Sequence, residues 1–80
     1  YVKRLKAIEG IAMSKFGVIE AYAISAGREI RVMVDPGKTT DDEALRIAID
    51  IRDEIKANVT YPGTVTVTVI RETRAQQVAK

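Results

Sequence analysis

The 80-residue chain has no cysteine and no histidine. Without cysteine there is no disulfide framework and no thiolate nucleophile, and cysteine usage says nothing of compartment beyond compatibility with the cytosol. Without histidine the commonest general base and the commonest metal ligand are missing. That excludes histidine-based hydrolase chemistry and typical zinc sites from these residues. One Phe and three Tyr are a thin supply of rings for stacking single-stranded nucleic acid. No apolar run approaches the roughly 20 residues of a membrane-spanning helix, and no signal-peptide pattern opens the chain. A large excess of one charge is also lacking. Lys plus Arg number 13 and Asp plus Glu 11, a net charge of +2, with acids and bases interleaved. Strong non-specific binding of RNA or DNA is not expected from that balance.

What is present suits one small soluble domain: 46% hydrophobic and 30% charged residues over 80 positions, too few for a two-domain enzyme. Because the pattern is helical almost from Tyr1, the chain is expected to be a segment of a longer protein. From Tyr1 to Phe16, the residues Val2, Leu5, Ile8, Ala12 and Phe16 recur at steps of three and four, which predicts an amphipathic helix. Gly17 follows as its left-handed cap. Gly10 interrupts the pattern, and close packing against a neighbour is the expected reason. Val18 to Ser25 and Glu29 to Asp35 read as two strands of a hairpin, joined at Ala26-Gly27 with Gly27 supplying the positive φ. Asp35-Pro36-Gly37 ends the second strand.

Thr40 and Glu43 have the spacing of a capping box, and Asp41 and Asp42 favour the positive end of a helix dipole. Ala44, Ile47, Ala48, Ile51, Ile55 and Val59 form the apolar stripe of this second helix, widened by Leu45 and Ile49. Arg46, Asp50, Asp53 and Glu54 are expected on the solvated side, with Arg46 and Asp50 spaced for an ion pair. Tyr61-Pro62-Gly63 breaks the helix. Thr64 to Ile70 then alternates threonine and valine, with Val65, Val67 and Val69 on one face.

The order helix, strand, strand, helix, strand predicts an α+β two-layer sandwich. It has a three-stranded mixed sheet and both helices on one face. The strand–helix–strand unit at its end makes the second and third strands parallel. The uncovered face is expected to hold some of Ile19, Ala21, Ala23, Arg31, Met33, Thr66, Thr68 and Ile70. Being only half polar, it is a candidate contact surface, with Ile19, Ala21, Met33 and Ile70 as interface candidates.

Chemistry is harder to place. Capping accounts for Asp41, Asp42 and Glu43, and a solvated helix face for Asp50, Asp53 and Glu54. No metal site is assigned. Gly27-Arg28 and Pro62-Gly63 lack the spacing of phosphate loops, and Ser14, Ser25 and the threonines have no imidazole partner. Tyr22 and Tyr61 read as core-rim residues with a wet hydroxyl. Arg28, Arg31, Arg71 and Arg74 remain as RNA-contact candidates. They could converge near one end of the sheet and grip phosphate. Ion pairs with Glu20, Glu29 and Glu72 are the alternative.

Two stretches, AGREIRVMV from Ala26 to Val34 and VTVIRETRA from Val67 to Ala75, are long and specific. With Gly17-Val18, Tyr22-Ala23-Ile24 and Tyr61-Pro62-Gly63, they resemble the C-terminal region of bacterial ribonuclease Y over nearly the whole chain. The ending Gln76-Gln77-Val78 departs from that pattern. The resemblance implies a membrane-anchored endoribonuclease of messenger RNA turnover. It implies that a transmembrane helix in the bacterial inner membrane, a coiled coil, a KH RNA-binding domain and a metal-dependent HD hydrolase domain precede this tail. It implies RNA as the parent's substrate, a divalent metal in the HD domain, and a cytoplasmic-side position for this segment. No catalytic residue carries over, because the His-Asp residues of the HD domain have no counterpart here. The element order also resembles the cytoplasmic domain of cation diffusion facilitator transporters, whose metal-binding histidines this chain lacks. The chain is thus expected to be a non-catalytic, cofactor-free accessory domain spanning residues 1–80. It would pack on its own HD domain or form a homo-oligomer, with RNA contact as the alternative.

Overall fold

The computed structural model describes residues 2–61 and 63–80, so expectations at Tyr1 and Pro62 lie outside the described residues. The elements are α1 (Val2–Met13), β1 (Val18–Ile24), β2 (Glu29–Val34), α2 (Asp41–Asn58) and β3 (Thr66–Arg71). The sheet order is β1-β2-β3, with β1 antiparallel and β3 parallel to the central β2. This is the α+β sandwich with a mixed sheet that the pattern predicts. Ile30, Val32 and Val34 point from β2 into one core with Ile8 and Ala12 of α1 and Ala44, Ile51 and Ile55 of α2. Both helices therefore cover the same face.

Local chemistry fixes the ends of α2. The Thr40 hydroxyl accepts from the Glu43 amide at 3.2 Å, and the Glu43 carboxylate accepts from the Thr40 amide at 2.9 Å. Two otherwise orphaned donors are satisfied by this exchange. The α1 helix is shorter than its periodicity suggests. It stops at Met13, where the Ser14 hydroxyl donates to the Ile11 carbonyl at 2.7 Å and draws the last turn closed. Phe16 is exposed as a result, Val2 is exposed at the opposite end of the helix, and Ile8 and Ala12 are the buried part of the stripe. Gly10 is also explained differently. It is exposed, and a Cβ there would meet nothing within 4 Å, so close packing is not its reason.

On α2 the stripe is narrower than expected, since Leu45 is 64% and Ile49 39% exposed. Arg46 and Asp50 form no ion pair among the described residues. Glu54 leaves the solvated side to receive Lys15 Nζ at 2.6 Å, which fastens the end of α1 to α2.

The hairpin turn takes three successive positive φ values, at Ser25 (53°), Ala26 (56°) and Gly27 (83°). Gly27 alone was expected to need one. It is buried, its carbonyl accepts the Tyr61 hydroxyl, and a side chain there would collide with Tyr61 and Leu5. The Arg4 guanidinium lies 5.4 Å from the centroid of the same Tyr61 ring. In β1 the pairing jumps from Val18↔Val34 to Glu20↔Met33, so Ile19 is an inserted bulge residue. That insertion reverses the parity of everything after it. Ala21 and Ala23 consequently pair across from Val32 and Ile30 and pack against the core. They are not on the outer face, and Ala21 drops out as an interface candidate.

Candidate functional site

Three cross-strand rows make up the uncovered face of the sheet. They are Ile24–Glu29–Thr66, Tyr22–Arg31–Thr68 and Glu20–Met33–Ile70. Alternation supplies β2 and β3 with these outward residues, and the bulge at Ile19 turns Glu20, Tyr22 and Ile24 to join them. Ile19 itself is 60% exposed at the edge of the face. Beside Met33 lies a shallow groove of about 420 Å³, between Ile19, Glu20 and Tyr22 on one side and Pro36, Glu72 and Arg74 on the other. Of the four interface candidates, Ile19, Met33 and Ile70 share this surface.

Two of the three charges in these rows, Glu29 and Arg31, are engaged with one another. Thr68 Oγ1 donates to Glu29 Oε2 at 2.9 Å, and Arg31 Nε reaches the same oxygen at 3.3 Å. These contacts, the threonine bond foremost and Arg31 after it, hold the Glu29 carboxyl below the usual carboxylate range. A lowered folded-state pKa stabilises the fold above the unfolded pKa, and that contribution is lost as pH falls through the folded value. Thr68→Val is therefore expected to raise the Glu29 pKa and shrink the acid-side loss of stability. NMR titration of the Glu29 carboxyl carbon reads it directly. An unmoved midpoint would remove Thr68 as the cause.

The four candidate arginines do not converge. Arg28 sits at the hairpin turn, beside the start of β2, while Arg71 ends β3. The strands are parallel and Arg71 lies opposite Val34, so roughly 20 Å of strand separates the two positions along the sheet. Arg31 is on the outer face with Glu29, and Arg74 pairs with Glu72. Glu20 takes no part in an ion pair among the described residues. Arg71 shares the inward parity of Val67 and Val69 and closes the helix-side layer. Its Nε donates to the Thr39 carbonyl at 2.6 Å, Nη2 to the Pro36 carbonyl at 2.9 Å, and Nη1 reaches Asp41 Oδ1 at 3.2 Å. Sequence reasoning grouped it with the surface arginines, although its even spacing from Val67 and Val69 already carried the signal. Thr39, only 4% exposed, was missed altogether because nothing in the local pattern marks it.

Among the described residues, no group of three or more carboxylates gathers as a metal cluster. Asp41 and Glu43 are occupied at the start of α2. The outer face thus offers apolar side chains beside the paired Glu29 and Arg31 and the single carboxylate of Glu20, a chemistry suited to contact with another protein surface.

Sequences similar to this one span all 80 residues. One from Oleidesulfovibrio alaskensis is 55% identical, one from Lactobacillus johnsonii 52% and one from Aliarcobacter butzleri 50%. All three carry the name Ribonuclease Y. The chain spans only about 15% of the length of these relatives. No family model matches it, and no solved structure does.

Proposed function

We propose that this chain, a homologue along its whole length of a segment of ribonuclease Y, serves as a non-catalytic C-terminal accessory domain of such an endoribonuclease. Its outer sheet face packs on the remainder of the same polypeptide, in the first place the HD domain. One observation carries this reading. A half-apolar face stands open on a domain that amounts to about 15% of its relatives' length, so the natural occupant is the rest of the chain. Cleavage of RNA belongs to that upstream part, which would be tethered to the membrane by its own N-terminal helix. The divalent metal implied by the HD resemblance would also be held there, since a chain without histidine has no His-Asp set to fit it.

Cysteine-free sequence makes the test direct. Ile19→Cys introduces a single thiol at the rim of the face. In the intact parent enzyme its alkylation, followed by peptide mass spectrometry, is expected to be at least about tenfold slower than in the 80-residue chain. Equal rates would overturn packing through this face. The alternative, RNA contact through Arg28, Arg31, Arg71 and Arg74, predicts anisotropy of a labelled single-stranded RNA that falls steeply with salt. The separation of these arginines and the internal engagement of Arg71 speak for the packing role.

A further inference from the structure

A second unpaired surface lies along the β3 edge and the flank of α2 above it, away from the outer face. On α2, the residues Asp41, Leu45, Ile49, Arg52 and Lys56 fall within one stripe about 80° wide at 100° per residue. Leu45 and Ile49 are the exposed apolar centre of this stripe. Beneath them, hollows between helix and strand are lined by Leu45, Ala48 and Val69 toward one end and by Ala48, Ile49, Val65 and Val67 toward the other. Ala48 therefore stands level with Thr68, the middle of β3.

The two edges of the sheet are treated differently. On β1 the bulge at Ile19 breaks the ladder, and the Ala23 amide donates to Glu9 Oε2 at 2.9 Å. Bulges and side-chain caps of this kind blunt an edge against pairing. From Thr66 to Ile70, β3 has no proline, no lysine and no bulge. The Thr66 amide turns toward β2, donating to the Arg28 carbonyl at 2.8 Å. By alternation, Val67 and Val69 then point both N–H and C=O outward, where no partner meets them among the described residues.

We infer that β3 pairs antiparallel with β3 of a second copy of this chain, about a two-fold axis that runs normal to the sheet midway between the two Thr68 residues. With Thr68 opposite its mate, Val67 of one copy faces Val69 of the other. Each of these residues donates to and accepts from its opposite. The two three-stranded sheets become one, with all helices on the same face. The same axis, passing beside Ala48 and Ile49, sets α2 antiparallel to its mate. Leu45 and Ile49 then meet their counterparts. Asp41 and Lys56 lie about 11 Å on either side of the axis, so the Asp41 of one copy comes opposite the Lys56 of the other. Lys56 has no ion-pair partner within the chain among the described residues. This self-complementarity of strand register and helix charge, about one axis, argues for a second copy over any other occupant.

The inference does not depend on the packing role of the outer face, and sedimentation velocity of the 80-residue chain from about 1 to 500 µM tests it alone. A concentration-dependent monomer–dimer equilibrium is expected. Leu45→Lys with Ile49→Lys replaces exposed side chains, so circular dichroism should not change, while dimerisation weakens at least about 30-fold. Lys56→Asp alone and Asp41→Lys alone should each weaken it about fivefold. An equimolar mixture of those two variants, in which every pair is again of opposite sign, should recover affinity through the heterodimer. A chain that stays monomeric throughout would overturn the inference. So would a dimer indifferent to the Leu45/Ile49 pair but broken by Ile19→Lys on the outer face.

Discussion

Gly27→Ala is expected to destabilise the domain by about 3–5 kcal/mol, from backbone strain and forced overpacking together. At φ 83° the position already lies where a Cβ is disfavoured, and the space a methyl would need is filled by Leu5 and the Tyr61 hydroxyl. Ser25 and Ala26 before it also hold positive φ, so the turn has no slack left to absorb the change. A domain of this size has a total stability of about 4–12 kcal/mol, and such a loss would leave it marginal or unfolded. Urea unfolding measures it as a lower midpoint at unchanged slope. A shift below about 1 kcal/mol would mean that Tyr61 swings away without cost, and that its bond to the turn carries little.

Arg71→Ala is expected to cost about 2–4 kcal/mol, because charge-assisted bonds to two backbone carbonyls are lost and the Thr39 carbonyl is left without its partner. Little of this comes from Asp41, whose side chain is 89% exposed, as exposed ion pairs contribute little. Arg71→Lys should recover only part of the loss, since one ammonium cannot reach carbonyls in the directions a guanidinium fork does. Urea midpoints of the two variants give the comparison, and equal midpoints for Arg71→Ala and the unmodified chain would refute the clamp. This has a bearing on function. Weaker RNA binding by an Arg71 variant would report an altered fold, so Arg31 and Arg28 are the positions at which RNA contact is fairly tested.

The parts of the fold that could be read from residues alone are those decided by short-range chemistry. Thr40 and Glu43 satisfy each other three residues apart, and the threonine–valine alternation of β3 fixes its faces without help from elsewhere. The strand–helix–strand order fixes the parallel pairing. The errors arise where a distant partner decides. A single bulge at Ile19 transfers Ala21 and Ala23 to the core, and both parities of β1 carry apolar residues, so its sequence does not choose between them. Glu54 belongs to Lys15, which is 39 positions away. Leu45 and Ile49 belong to the helix pattern but not to the core, because the sheet beneath them ends at β3. Within the candidate site, Met33 and Ile70 were recognisable from their alternation with the core valines, whereas Ile19 reaches the face as the residue of the bulge. The bond from Thr68 to Glu29 was not, as it forms only when β3 lies against β2.

The parallel pairing also governs how the domain is completed during synthesis. Glu29 pairs with Thr66, residues 37 apart in sequence, so the β2 ladder stays half-made until nearly the entire chain has emerged. Contacts of such separation form late and slowly. Until then the hairpin presents Ile30, Val32 and Val34 on a strand with one bare edge, the template on which β aggregates grow. A chain truncated before Thr66 would keep its hairpin and its helices and still lack the strand that closes them, which makes the final segment the domain's safeguard against aggregation.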